Sequence, residues 1–128
     1  MPSAQTLQAF INRVVEGAHA EAIEEFYTAN ASMQENGAAP RVGRDLLVAH
    51  ERKALSRVKS VASECVPPVF TAGNYVVIRW IFTFTRPDGQ TIRIEELAHQ
   101  RWEGEQIAQE QFFYDPAQFA YSVDSLSA

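Results

Sequence analysis

The chain has 128 residues, 46% of them hydrophobic, and a formal net charge of −5. That length supports one domain, residues 1–128, with a sizeable core and excludes two ordinary ones. The acidic balance, without a clustered Lys/Arg footprint, argues against nucleic acid, no apolar run approaches the length that crosses a bilayer, and the single cysteine, Cys65, excludes an internal disulfide and fits a reducing, cytoplasmic setting.

The first half reads helical. "SAQTLQAFINRVV" starts at a Ser3 cap and places Leu7, Phe10, Ile11, Val14 and Val15 at helical spacing. Gly17 breaks it, and "AEAIEEFYTAN" reads as a second, short helix. "ASMQENG" reads as a short strand entering a loop, and "AAPRVG" as that loop. "RDLLVAHERKALSRV" is a third helix with Leu46, Leu47, His50, Ala54 and Val58 along one stripe.

The second half reads as strands. "KSVASECV" is followed by Pro67 and Pro68, which suit a strand edge or bend. "NYVVIRWIFTFT" is dense in β-branched and aromatic residues. Asp88-Gly89 marks a hairpin turn, and "QTIRIEELAHQRW" and "QIAQEQFFYD" flank a second turn at Gly104. The tail "SVDSLSA" reads as loosely ordered. Helices followed by a strand meander form an α+β pattern, with helices on one face of an antiparallel sheet.

Two-residue turns at Asp88-Gly89 and Gly104-Glu105 set an expected register, in which Ile81 faces Glu96, Trp102 faces Ile107 and Ala98 faces Gln111. One sheet face then carries Tyr75, Arg79, Glu96, Gln100, Trp102, Gln111, Phe113 and Asp115. Apolar groups with a few placed polar ones suit a pocket wall. The other face carries Trp80, Phe82, Leu97, His99, Glu110, Phe112 and Tyr114. Its bare aromatics suit an interface, most economically with a second copy of the chain. The expected partners are a small apolar molecule in the pocket and a homodimer through Trp80, Phe82, Leu97, Phe112 and Tyr114.

The order of elements, with Gly43 before "RDLLVAH", the closing turn at Gly104 and Ile107, and the strand-ending Asp115, resembles the SnoaL-like polyketide cyclase group of the nuclear transport factor two-like superfamily. The resemblance implies a cone: a strongly curved antiparallel sheet wrapped around N-terminal helices (a cystatin-like α+β barrel) with a deep apolar pocket. It also implies that a strand-ending acid, here Asp115, acts as general acid/base. The group's cyclases place a histidine on the preceding strand facing the cavity. Ala98 takes that place in the expected register and His99 points away, which weighs against aldol cyclisation.

Each site residue has a structural reading beside the functional one. Asp115 either caps the turn before Pro116 or exchanges protons at the pocket rim with Trp102 and Phe113 beside it. Glu96, mid-strand among apolar neighbours, either pairs with Arg79 or acts as the base. His50 is a core histidine or a pocket contact. Tyr75, Gln100 and Arg79 are candidates to orient a substrate oxygen, and Trp102, Gln111 and Phe113 to line the wall. Cys65 reads as a strand thiol, His19 as a solvated helix-start residue, and His99 with Glu110 as a surface or interface pair. The three histidines lack ligand spacing, so neither a metal nor a cofactor is expected.

Three functions follow. The first is a cofactor-free isomerase, cyclase or hydrolase moving protons on a small apolar carbonyl-type compound. The second is a non-catalytic small-molecule binding protein, and the third a dimeric interaction module of the same fold.

Overall fold

The computed structural model describes residues 1–120 of the chain; the tail from Tyr121 onward lies outside the described residues. Helix α1 (Ala4–Val15) starts where Ser3 Oγ accepts a hydrogen bond from Thr6 N at 3.1 Å, the capping the sequence signals. Phe10, Ile11 and Val14 form its buried face. Helix α2 (His19–Phe26) buries Ala20, Ala22 and Ile23 and ends earlier than expected. Tyr27 already begins strand β1 (Tyr27–Glu35), because its ring is drawn into the core rather than left on a helix surface. A short β2 (Arg41–Val42) follows in the segment expected to be loop. Gly43, at φ 107°, then turns the chain into α3 (Arg44–Leu55), a conformation that favours glycine. On α3 the buried residues are Leu47 and Val48, while Leu46 is exposed.

Strands β3 (Ser60–Ala72), β4 (Tyr75–Thr85), β5 (Thr91–Glu103) and β6 (Gln106–Phe113) form the expected antiparallel meander. Strand β3 runs through the two prolines, with a register shift between Val66 and Phe70. The sheet order is β2-β1-β6-β5-β4-β3. Strand β1 pairs parallel with β6, a contact no hairpin turn announces. The result is an α+β fold with a six-stranded, mostly antiparallel sheet, open at both edges and covered on one face by the three helices. No helix of the described residues is long and apolar enough to cross a membrane.

The register differs from the expected one in two places. Thr85 pairs with Thr91, so the β4–β5 connection is the five residues Arg86 to Gln90. It is closed by Arg86 N donating to Gln90 O at 2.7 Å and Gly89 N to Arg86 O at 2.9 Å. Trp80, not Ile81, therefore faces Glu96. The β5–β6 turn is the two-residue Gly104-Glu105, and Trp102 does face Ile107. A bulge between Arg101 and Trp102 then shifts the rest, so Ala98 faces Phe112. Each shift by one residue moves a whole strand's side chains to the other face. The helix-covered face carries Val76, Ile78, Trp80, Phe82, Ile94, Ala98 and Trp102, all buried. Trp80 and Phe82, expected at an interface, are core residues with 2% and 8% exposure.

Candidate active site

Between the helices and the covered sheet face lies a cavity of about 770 Å³. Its floor comes from alternate residues of the strands: Trp80 and Phe82 from β4, Ile94 and Glu96 from β5, Glu110 and Phe112 from β6. Helices α1 and α2 close over it with Phe10, Val14, His19 and Ile23, and α3 adds His50 and Glu51. The surface of the wall is mainly apolar, and Arg, His and acidic side chains interrupt it.

Glu96 is the exception in the floor. The two flanking side chains on its face are Ile94 and Ala98, and Trp80 is its cross-strand neighbour. Among the described residues no hydrogen bond or ion pair engages its carboxyl. Burial, followed by the charges of Glu110, Glu35 and Glu51, raises its pKa from 4.5 to about 8. A carboxyl in that state holds its proton at neutral pH.

Glu110 is fully buried and differently held. Trp102 Nε1 donates to Gln100 Oε1 at 3.0 Å, and Gln100 Nε2 donates to Glu110 Oε2 at 2.7 Å. The Tyr27 hydroxyl donates to Glu110 Oε1. The indole N–H can only donate, so it fixes which end of the Gln100 amide faces Glu110. Burial raises the Glu110 carboxyl to about 7 against the lowering effect of those two hydrogen bonds. Burial and the Glu110 charge push the Tyr27 phenol well above its ordinary value. Two carboxyls with pKa values displaced toward neutrality therefore border one cavity.

Of the remaining lining acids, Asp88 accepts from Gln90 N at 3.0 Å, and Glu35 and Glu51 are paired. Arg41 Nη2 donates to Glu35 Oε2 at 2.9 Å, and the Tyr114 hydroxyl donates to Glu35 Oε1 at 3.3 Å. Glu51 Oε1 lies 3.5 Å from His19 Nδ1, and His19 Nε2 lies 2.7 Å from Ser63 Oγ. Among the described residues no three His, Cys, Asp or Glu side chains are arranged to hold a metal ion.

The structure brings only part of the expected set together. Glu96 and His50 line the cavity. Gln100 and Trp102 lie beneath it and orient Glu110. Arg79 sits on the opposite face and pairs with Glu95 at 3.3 Å, not with Glu96. Tyr75 and Phe113 are each 46% exposed on that open face. Gln111 points away from the cavity and donates to Asn36 O at 2.9 Å. Asp115 is exposed beyond the end of β6, where its Oδ1 accepts from Ala117 N at 2.9 Å, and it is not among the residues that line the cavity. The cause is common to all five: the register shifts exchange odd for even positions on β4 and β6. Of the expected interface, Phe112 lines the cavity, Tyr114 is half-buried against Phe119, and Leu97 stays on the open face. Sequence reasoning missed Glu110, Tyr27, Glu51 and His19. Glu110 carried a signal, an acid between glutamines in an otherwise apolar strand, but the assumed register sent it outward.

An α+β sheet with three helices on one face and an acid-bearing cavity between them defines a pocket fold of the nuclear transport factor two type. The SnoaL-like domain model matches residues 7–110, and the chain belongs to that family. No curated protein matches the sequence. Among solved structures, a candidate SnoaL-like polyketide cyclase from Jannaschia superposes with a TM-score of 0.77 at 14% identity, covering 98% of this chain and 97% of that one. A candidate SnoaL-like polyketide cyclase from Mesorhizobium loti gives 0.73 at 18% identity, covering 89% and 100%. A hypothetical protein with a ketosteroid isomerase-like fold from Catenulispora acidiphila, in complex with trimethylamine, gives 0.75 at 16% identity, covering 91% and 89%. At these identities the likeness is one of fold.

Proposed function

We propose that the protein is a cofactor-free acid/base catalyst that moves a proton on a small apolar carbonyl-type compound held in the cavity. The observation that carries this reading is Glu96: an unpaired carboxyl in an apolar, aromatic floor, with its pKa near 8. As a carboxylate it takes the proton from the carbon next to the carbonyl. The C–H electrons become the new C=C bond, and the carbonyl oxygen gains the charge. As an acid it returns the proton to a different carbon. A pKa near the working pH suits both directions. Glu110 and Tyr27 hold a second exchangeable proton at the edge of the same cavity. The open sheet face with Tyr75, Leu97 and Phe113 is the surface through which a homodimer would form, and a half-buried lone thiol at Cys65 fits a cytoplasmic setting.

The test uses 5-nitro-1,2-benzisoxazole, a flat apolar probe that a base opens by removing one ring C–H proton, breaking the N–O bond and releasing a coloured cyanophenolate. The wild type should show saturable opening that rises with pH through about 8, and Glu96→Gln should lose about 100-fold or more of it. A Glu96→Gln rate equal to wild type rejects the assignment.

A second reading is a binding protein without turnover. An uncompensated acid among aromatic rings suits a small organic cation, and the structurally similar Catenulispora acidiphila protein holds trimethylamine. Saturable, Glu96-dependent binding of trimethylamine together with no opening of the benzisoxazole would favour this reading over the first.

A further inference from the structure

Apart from Glu96 and Glu110, three elements bring a hydroxyl, an imidazole and a carboxylate into one line. His19 opens α2, Glu51 lies on α3 and Ser63 on β3. Ser63 Oγ is 2.7 Å from His19 Nε2, and Glu51 Oε1 is 3.5 Å from His19 Nδ1. With hydrogen on Nδ1, the nitrogen that faces the Glu51 carboxylate, the ring has the tautomer a serine base needs. Nε2 then keeps its lone pair, and the Ser63 hydroxyl donates to it. Phe82 packs against the imidazole with ring centroids 5.2 Å apart, which fixes the ring plane. His19 and Glu51 also border the cavity. Strand β3 is the outer strand of the sheet.

We propose that Ser63, His19 and Glu51 form a second, nucleophilic site that cleaves activated acyl esters. Ser63 is the nucleophile, His19 the base that touches the reacting atoms, and Glu51 a positioning residue that acts through His19. Ser63 Oγ forms a bond to the acyl carbon and its proton passes to His19 Nε2. The ester C–O bond breaks, and the leaving alcohol takes that proton. Water then attacks the acyl-serine, giving one proton to His19 and releasing the acid, and the proton returns to Ser63 Oγ. No step involves Glu96, so this site and the one above stand or fall separately.

The test treats the full-length protein with diisopropyl fluorophosphate and follows it by intact mass and peptide mapping. The expected result is one adduct per chain on Ser63, formed as the Oγ–P bond replaces P–F and fluoride and the hydroxyl proton leave. Ser63→Ala should take up none, and His19→Gln should react about 100-fold or more slowly. Glu51→Gln should slow the reaction with an unchanged melt and Glu51→Asp should recover part of the rate; a merely structural role would move rate and melt together. Where a His19 variant fails to fold, ethoxyformylation of the wild-type imidazole with diethyl pyrocarbonate serves instead and must stop the labelling of Ser63. No adduct on Ser63 in the folded wild type, adducts only elsewhere, or wild-type labelling by His19→Gln each overturn the proposal.

Discussion

Glu96→Gln separates what the carboxyl does for the site from what it costs the fold. In the native protein Glu96 titrates near 8, against an ordinary value of 4.5. Between those limits the unfolded chain has released the proton and the native protein has not. A folded-state pKa above the unfolded one gives stability that is fully present below the unfolded value and is lost as pH rises through the folded one. The wild type therefore weakens from about pH 4.5 to about pH 8 and levels off above. At about 1.4 kcal/mol per pH unit, the whole gap is worth about 5 kcal/mol, of which about 3 is already lost at pH 7. Glutamine keeps the shape and has no proton to release. Its stability relative to wild type should be unchanged near pH 4, about 3 kcal/mol higher at pH 7 and about 5 higher above pH 8. Glu110, displaced in the same sense, is present in both proteins, so the difference between them reports Glu96 together with its repulsion from Glu110. Urea unfolding of the two proteins across pH 4 to 9, read as midpoint and slope, measures this. Curves that stay parallel across the range would refute the argument, because they would mean that the cavity solvates or pairs the carboxylate.

Trp80→Ala should cost about 3–5 kcal/mol in urea unfolding, since the indole is 2% exposed in the core; a loss below about 1 kcal/mol would return it to a surface role. Asp115→Asn should keep whatever benzisoxazole rate the wild type shows and cost about 1 kcal/mol or less, the worth of one exposed turn contact; a lost rate with an intact melt would reinstate Asp115 as the site's acid. If the open face is the homodimer surface, Leu97→Glu should convert a dimer to a monomer in light scattering and leave the monomer's melt unchanged, because Leu97 is 44% exposed on its own chain; a wild-type monomer, or a dimer untouched by the charge, rejects that surface.

The fold was legible because the strands of the meander and most helices carry their period locally. The Ser3 cap, the density of β-branched and aromatic residues in "NYVVIRWIFTFT" and the turn at Gly104 all act within a few residues. The site was not, because it depends on parity across strands. Asp88-Gly89 invites a two-residue turn, yet Arg86 closes on Gln90 and three further residues enter the connection. The bulge at Arg101/Trp102 has no residue signature of its own. Together they leave β5 facing as expected and reverse β4 and β6 against it. Glu96 was thus found where the sequence puts it, while Arg79 and Asp115 were exchanged for Trp80 and Glu110. Tyr27 escaped notice because "AEAIEEFYTAN" has the composition of a continuous helix, and only burial of the ring beside Glu110 ends that helix at Phe26.

The central claim is that a neutral acid waits in the cavity at neutral pH. Its most direct test is a pH titration of the glutamate side-chain carboxyl carbons by NMR, with Glu96→Gln and Glu110→Gln assigning the signals. Glu96 should titrate near 8 and Glu110 near 7. A Glu96 signal that titrates near 4.5, like an exposed glutamate, would contradict the account.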